Sequence, residues 1–248
     1  MNLLQHIPYT IPADDVRRMD VYLPEEPNGR LFFYAHGGGL ENGDKVDAAC
    51  FAPYLAKRGT AVVSINYRMY PSANYPDFLW DAAQALAFVK EKMGEWGAEK
   101  LYVGGSSAGG YISMMLCFDP RYLQKFGMSN QDIAGYFHDA GQPTAHFRVL
   151  KERGVDGRRV IVDETSALFH VGTQKNYPPM RFIVSDQDMQ NRYEQTLLML
   201  STLRHFGVQK ADHVLMHGGH CAYIGRMDGE ESLFGRMIEE FMGKAEKE

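Results

Sequence analysis

A serine between glycines lies at a turn from a predicted strand to a predicted helix. Residues 105–109 read Gly-Ser-Ser-Ala-Gly and match the pattern G-x-S-x-G. The glycines permit a sharp turn that lifts the Ser107 oxygen above the strand, and the new helix directs its free N–H groups to the same place. Ser107 is therefore a candidate nucleophile for acyl transfer, with the Ala108 amide as one half of an oxyanion hole. An ordinary glycine-rich turn is the alternative.

A second glycine run follows another apolar stretch. Residues 31–35 read LFFYA, and residues 36–39 read HGGG directly after them. Backbone N–H groups can approach an anionic tetrahedral intermediate only where side chains do not block them, so glycine suits this position. A loop of this type can complete an oxyanion hole. We expect Gly37 and Gly38 to form one side of the hole and Ala108 to form the other.

A serine nucleophile needs a base, and the stretch HVLMHGGHCAY (213–223) offers three histidines. His220 follows the last predicted strand, from which an imidazole can reach back over the sheet. His213 and His217 share one strand face and are predicted to be structural or partly exposed. The spacing H-x3-H-x2-H also suggests a metal site. No glutamate stands in the metalloprotease arrangement and HVLMH has the pattern of a strand, so we predict no metal.

The base needs an orienting acid, which in folds with this elbow lies between the serine and the histidine. The stretch FIVSDQDMQNRYEQ (182–195) places Asp186 and Asp188 directly after a predicted strand. Asp188 lies further into the loop, next to the helix predicted to begin near Asn191, and we favour it. Asp186 stays open as the alternative, and the other of the two would be a turn or N-cap carboxylate.

Short apolar runs alternate with longer helical patterns along the chain. This alternation predicts an α/β fold with right-handed crossovers and a mostly parallel sheet covered by helices on both faces. Ligands bind such sheets at the carboxyl ends of the strands, where both glycine stretches fall. The predicted strands are 31–35, 61–67, 100–105, 132–137, 180–185 and 213–217, and the predicted helices are 77–93, 108–118, 191–207 and 230–244.

Length and composition indicate the kind of protein. The 248 residues suit one domain, and their 45% hydrophobic content is ordinary for a globular protein. A net charge of −5 without a basic cluster argues against a nucleic-acid partner. No apolar run approaches the roughly 20 residues that span a bilayer, so no membrane partner is predicted. Three cysteines without CxxC spacing and an N-terminus without a secretory signal predict a cytoplasmic protein. No nucleotide motif is present, and we predict no cofactor.

These motifs together resemble the α/β-hydrolase superfamily. The likeness is closest to compact carboxylesterases around the hormone-sensitive-lipase and bacterial feruloyl/acetyl-esterase groups, and it covers most of the chain. The similar segments are DVYLP (20–24) as the first strand, HGGGLENGDK (36–45) as the oxyanion loop, INYRMYPSANYPDFLWDAAQAL (65–86) as a strand and helix, GGSSAGGY (104–111) as the elbow, PPMRFIVSDQDMQNRYEQT (178–196) as the acid segment and HGGHCAY (217–223) as the histidine loop.

The resemblance places the catalytic acid on Asp188 and the base on His220. It implies a single α/β-hydrolase domain over 1–248 that hydrolyses small acyl esters, with acetyl or feruloyl groups on carbohydrates as leading substrates. An arylformamidase-like amide hydrolase and a catalytically inactive binding protein are the alternatives. The chain departs from the family at Ser106, where an acidic or histidine residue is frequent. It also departs over 135–147, and we expect a short cap within about 138–165.

Overall fold

The centre of the protein is an eight-stranded sheet, and the computed structural model describes residues 1–247. The spatial order is β1-β2-β4-β3-β5-β6-β7-β8; β1 pairs antiparallel with β2 and β2 antiparallel with β4, while all other neighbours are parallel. Each predicted strand overlaps a strand of this sheet. The strands are β1 (Asn2–Pro8), β2 (Arg18–Leu23), β3 (Gly29–Ala35), β4 (Ala61–Ile65), β5 (Ala98–Ser106), β6 (Gly135–Asp139), β7 (Met180–Gln187) and β8 (Ala211–Gly219).

Helices cover both faces of the sheet, and the predicted α/β fold class is confirmed. Their bounds are α1 (Ala52–Lys57), α2 (Asp77–Lys92), α3 (Ala108–Phe118), α4 (Pro120–Gln124), α5 (Phe147–Glu152), α6 (Arg192–His205) and α7 (Leu233–Ala245). Short 3₁₀ helices cover Lys45–Cys50, Asn130–Asp132 and Ala167–His170, and a small ribbon pairs β9 (Met227–Asp228) with β10 (Glu231–Ser232).

Two hydrophobic cores lie on opposite faces of the sheet. Consecutive strand residues alternate between them: Phe33 packs in the core with α2, α3 and α6, whereas Phe32 packs in the core with α1 and α7. This is the consequence of the two-residue period of a strand, which directs successive side chains to opposite faces. Because both faces are covered, strands such as β4 are buried throughout, which explains why their sequences are mostly apolar.

The edge strand β1 was not among the predicted strands. Most of its residues are exposed, and the sequence NLLQHIP lacks the apolar alternation that predicts a strand. Among residues 1–247 its only pairing partner is β2, and this pairing holds the segment at the edge of the sheet. The interpretation of residues 20–24 as the first strand is therefore wrong, because these residues overlap β2, the second strand along the chain.

Parallel pairing brings the carboxyl ends of the central strands together. Ala35 is in register with Gly105, so the HGGG loop after β3 begins beside the elbow after β5. On the other side of β5, Ser106 is in register with Asp139 at the end of β6. The loops after β7 and β8 leave the same edge of the sheet. The sheet thus brings the predicted catalytic residues to one edge, although they are far apart in sequence.

The segment after β6 differs in part from the predicted cap. His138 and Asp139 belong to β6, and the chain then forms a loop with the short helix α5. The cap within about 138–165 and the single domain over 1–248 stay predictions. Within residues 1–247, no helix is both long and apolar enough to cross a membrane.

Candidate active site

Ser107 lies at a strained turn between β5 and α3. Its backbone has φ +56° and ψ −111°, a conformation that few side-chain-bearing residues adopt. The glycines around it leave no room for side chains, because a Cβ on Gly105 would lie 2.4 Å from the Gly109 carbonyl oxygen and one on Gly109 would lie 1.9 Å from that of Ala35. The two glycines of the G-x-S-x-G pattern are therefore required by close backbone packing at this turn.

Ser107, His220 and Asp188 form a continuous hydrogen-bonded chain. The Ser107 Oγ lies 2.8 Å from His220 Nε2, and His220 Nδ1 lies 2.6 Å from Asp188 Oδ1. An ionised carboxylate only accepts hydrogen bonds, so the imidazole Nδ1 carries the proton that it donates to Asp188. The imidazole Nε2 is then free to accept the proton of the serine hydroxyl. This is the arrangement by which a neutral imidazole can act as a general base.

The two candidate aspartates have different partners. The Asp188 side chain is 1% exposed and also accepts a hydrogen bond from the Met189 N–H. Burial opposes its ionisation, but the hydrogen bonds from His220 and from two backbone N–H groups outweigh burial and lower the pKa of Asp188. Asp186 instead lies 2.7 Å from the ring of His217, whose side chain is 89% exposed. The geometry therefore favours Asp188 as the partner of His220.

The three histidines of the H-x3-H-x2-H run do not converge. His213 and His217 are exposed on β8, and His220 lies in the loop beyond the strand. In the part of the chain that the structure describes, no group of three His, Cys, Asp or Glu side chains is arranged to hold a metal ion. The spacing that suggested a metal is thus the spacing of a strand and its following loop.

Hydrogen bonds orient the peptides of the HGGG loop. The Gly37 carbonyl accepts a hydrogen bond from His36 Nδ1 at 2.8 Å, and the His36 ring stacks on Tyr67 at 4.4 Å between centroids. In a trans peptide the following N–H points opposite to the carbonyl, so the Gly38 N–H faces away from His36. A Cβ on Gly37 would lie 3.3 Å from the Ser107 Cβ, which shows how closely the loop approaches the elbow.

Ala108 is the first residue of α3, so its N–H has no acceptor within the helix. Gly37 and Gly38 line the same cavity as Ser107. The structure therefore brings the three predicted oxyanion residues close to the serine. Their role as hydrogen-bond donors to an oxyanion stays a prediction.

We predict that Gly38→Ala lowers kcat/KM for ester hydrolysis by about 10²-fold or more, the loss associated with one displaced oxyanion donor. Gly38 has φ +99°, and an added Cβ would lie 2.0 Å from the Asn42 carbonyl oxygen, so the loop must move. The control is Gly94→Ala, because a Cβ there meets no atom within 4 Å. Steady-state kinetics on a p-nitrophenyl ester measures the effect. Equal kinetics for the two variants would contradict the role assigned to the loop.

Asp139 is a buried carboxyl group beside the elbow that sequence reasoning missed. Its backbone carbonyl accepts a hydrogen bond from the Ser107 N–H at 2.8 Å, and its side chain accepts one from the Tyr223 hydroxyl. Burial raises the pKa of Asp139 to about 6. One feature of the sequence could have pointed to Asp139. Ser106 occupies the position before the nucleophile, where related elbows often carry an acidic residue. Here the neighbouring strand places a carboxyl group in register with that position.

We predict that the free energy of unfolding of Asp139→Asn increases, relative to that of the wild type, as pH rises. The folded protein binds the Asp139 proton more tightly than the unfolded chain, whose ordinary pKa is 3.8. Unfolding therefore releases a proton between the two pKa values, and wild-type stability falls as pH rises through this window. The difference in unfolding free energy between variant and wild type should change by about 2 kcal/mol from about pH 4.5 to about pH 7.5. Urea unfolding at both pH values tests this, and a difference independent of pH would contradict it.

A cavity of about 460 Å³ opens over the serine. Its wall includes the HGGG loop, Ser107 and His220, together with the apolar side chains of Phe147, Met189 and Ile224. Sequence reasoning did not identify these three apolar residues, although Met189 directly follows Asp188. The cavity offers a mostly apolar space beside the serine and its imidazole partner, which suits a small acyl group.

Comparison with solved structures identifies the fold. Esterase B from Lactobacillus rhamnosis superposes with a TM-score of 0.79 and 19% identity, covering 99% of this chain and 86% of that one. A truncated carbohydrate esterase from gut microbiota superposes with a TM-score of 0.79 and 15% identity, covering 100% and 97%. The protein has the α/β-hydrolase fold. The fold that the sequence motifs predicted is thereby confirmed.

Sequence comparison adds two partial matches. The BD-FAE family profile matches residues 19–131, a little under half of the chain. A relative from Oryza sativa subsp. japonica, named "Probable isoprenylcysteine alpha-carbonyl methylesterase ICME", is 33% identical over 158 residues, which are 54% of this chain and 38% of the relative. The chain thus matches well under two thirds of that relative's length. The part matched by the BD-FAE profile includes the HGGG loop and the elbow but neither Asp188 nor His220.

Proposed function

We propose that this α/β-hydrolase is a serine carboxylesterase acting on small acyl esters. The observation that carries the proposal is the hydrogen-bonded chain from Ser107 through His220 to Asp188 at the floor of an open cavity. The names of the compared proteins support the same activity, because each is an esterase. Ser107 is proposed as the nucleophile, His220 as the base and Asp188 as the acid.

Acylation begins with attack of the Ser107 oxygen on the ester carbonyl. His220 Nε2 takes the hydroxyl proton, so the nucleophile is an alkoxide-like oxygen only in the transition state. The carbonyl oxygen becomes an oxyanion, which the N–H groups of Gly37, Gly38 and Ala108 stabilise. His220 then donates its proton to the leaving alcohol, and the acyl group stays on Ser107. Asp188 holds the imidazole tautomer and stabilises its charged form throughout.

Deacylation repeats these steps with water as the nucleophile. His220 removes a proton from the water, which attacks the acyl carbon, and the same N–H groups hold the second oxyanion. Return of the proton from His220 to Ser107 releases the acid and restores the enzyme. Every step uses side chains and amides of this chain, so the mechanism includes no metal or organic cofactor.

Acetyl or feruloyl esters of carbohydrates are the proposed substrates. A carbohydrate esterase from gut microbiota superposes on the whole chain, and the cavity over Ser107 offers about 460 Å³ for the ester. The test is to compare initial rates on p-nitrophenyl acetate and butyrate with the rate on an N-formyl aromatic amide. Faster turnover of the esters supports the proposal. Faster turnover of the amide would favour an arylformamidase-like hydrolase, and binding without turnover of either would favour an inactive binding protein.

A further inference from the structure

A second cavity of about 720 Å³ adjoins the one that contains Ser107. Phe147 and Met189 line both cavities, so these two side chains lie between the second space and the one that contains the serine. The wall of the second cavity is rich in cations. Its charged side chains are Lys151, Asp156, Arg158, Arg159 and Arg192, four cations against one carboxylate.

Arg192 is the buried member of this group. It is 4% exposed, begins α6, and donates hydrogen bonds to the Ala140 carbonyl and, at 3.5 Å, to Gln142 Oε1. Among residues 1–247, no carboxylate oxygen lies within 4.0 Å of its guanidinium. Asp188 contributes an attractive charge, but that carboxylate is engaged by His220. A buried guanidinium without a paired anion is costly, and an anionic ligand would offset that cost.

Two cations at the exposed part of the same wall are also without an ion-pair partner. The structure, over the residues it describes, places no carboxylate within 4.0 Å of Lys151 or Arg159, whereas Arg158 forms a bidentate pair with Asp156. Lys151 Nζ lies 5.4 Å from the centre of the Phe147 ring, next to the serine cavity. The protein as a whole has a net charge of −5, so this concentration of unpaired positive charge is local.

We propose that the second cavity binds a carboxylate carried by the substrate. Among the small acyl esters proposed above, the preferred ones would then carry a carboxylate at the far end of the acyl or alcohol part, as half-esters of dicarboxylic acids do and as acetyl or feruloyl esters of an acidic carbohydrate would. Arg192 would bind the carboxylate from the floor of the cavity, and Lys151 and Arg159 would attract it from the rim. Guanidinium groups bind carboxylates through paired, charge-assisted hydrogen bonds. This inference rests on the proposed esterase function, since it names a substrate class for that site.

The test compares p-nitrophenyl hemiglutarate, which carries a terminal carboxylate, with neutral p-nitrophenyl butyrate. We expect kcat/KM of the wild type to be about tenfold or more higher for the anionic ester, the effect of one good charged hydrogen bond. The double variant Lys151→Gln/Arg159→Gln, at exposed positions, and the single variant Arg192→Gln should each reduce the ratio of the two kcat/KM values, mainly through KM of the anionic ester. The control Arg204→Gln removes an exposed cation near the other end of α6 and should leave the ratio unchanged.

A ratio near one in the wild type, or a ratio unchanged in the double variant, would overturn the proposal while leaving the esterase function intact. If the wild type hydrolyses neither ester, the esterase function is contradicted. A binding measurement then tests whether the second cavity binds a carboxylate. Calorimetric titration of wild type with glutarate should then detect binding that the double variant weakens about tenfold. No binding, or equal binding by both proteins, would overturn the carboxylate site.

Discussion

Ser107→Ala should lower kcat/KM for p-nitrophenyl butyrate by about 10³-fold or more. The variant loses the attacking oxygen, and the acyl-enzyme can no longer form. Because the methyl side chain of alanine is smaller and the strained backbone conformation stays accessible to it at the same cost, the fold should be retained. Steady-state kinetics measures the loss, and circular dichroism verifies that the variant is folded.

The neighbouring Ser106 provides the matched control. It precedes the nucleophile, is 2% exposed, is in register with Asp139, and is not a member of the hydrogen-bonded chain through His220. Ser106→Ala should therefore keep kcat/KM within a few-fold of the wild-type value. A similar loss in both variants would indicate that the turn, and not the Ser107 oxygen, was disturbed. Retention of activity in Ser107→Ala would remove the proposed nucleophile.

Asp188→Asn should lower kcat by about 10³–10⁴-fold, the effect of an imidazole held in the wrong tautomer. An asparagine amide facing His220 Nδ1 can donate a hydrogen bond, which favours the tautomer with the proton on Nε2. The imidazole nitrogen that faces Ser107 then has no lone pair to accept the serine proton. Kinetics on the same ester measures the effect, and circular dichroism again verifies folding.

Asp186→Asn is the control for this prediction, because Asp186 lies two residues away and is paired with the exposed His217. Its replacement alters a contact at the protein surface, which is worth little in stability, and should change kcat by less than about threefold. The reverse pattern, with the large loss in Asp186→Asn, would transfer the role of the acid to Asp186. Equal and small losses would mean that neither carboxylate supports the imidazole.

Much of the fold and the central hydrogen-bonded chain could be predicted because their signals are local. The strands buried on both faces are continuous apolar runs, and the two glycine motifs mark turns at which a Cβ would collide with backbone. Asp188 could be favoured because its loop lies between a strand and a helix that are themselves well marked. Parallel strand order then places the loops together.

The remainder depends on contacts that no local pattern records. Most residues of β1 are exposed, and in the part of the chain that the structure describes this strand pairs with β2 alone, so its sequence carries little apolar periodicity. Asp139 acquires its raised pKa because its strand end is buried, while the hydrogen bond from Tyr223, which follows it by 84 positions, opposes the rise. Arg192 looks like an ordinary helix residue in the sequence. Only the folding of the loop after β6 over α6 buries it against Ala140 and the second cavity.

The most direct test of the central claim is covalent labelling with diethyl p-nitrophenyl phosphate, followed by intact-mass measurement and peptide mapping. Attack by an activated serine oxygen forms an oxygen–phosphorus bond and releases p-nitrophenolate. We predict one diethylphosphoryl group per chain, located on Ser107, with loss of ester hydrolysis in proportion to labelling. Labelling at another residue, or full ester hydrolysis by the protein labelled at Ser107, would contradict the assignment of Ser107 as the nucleophile.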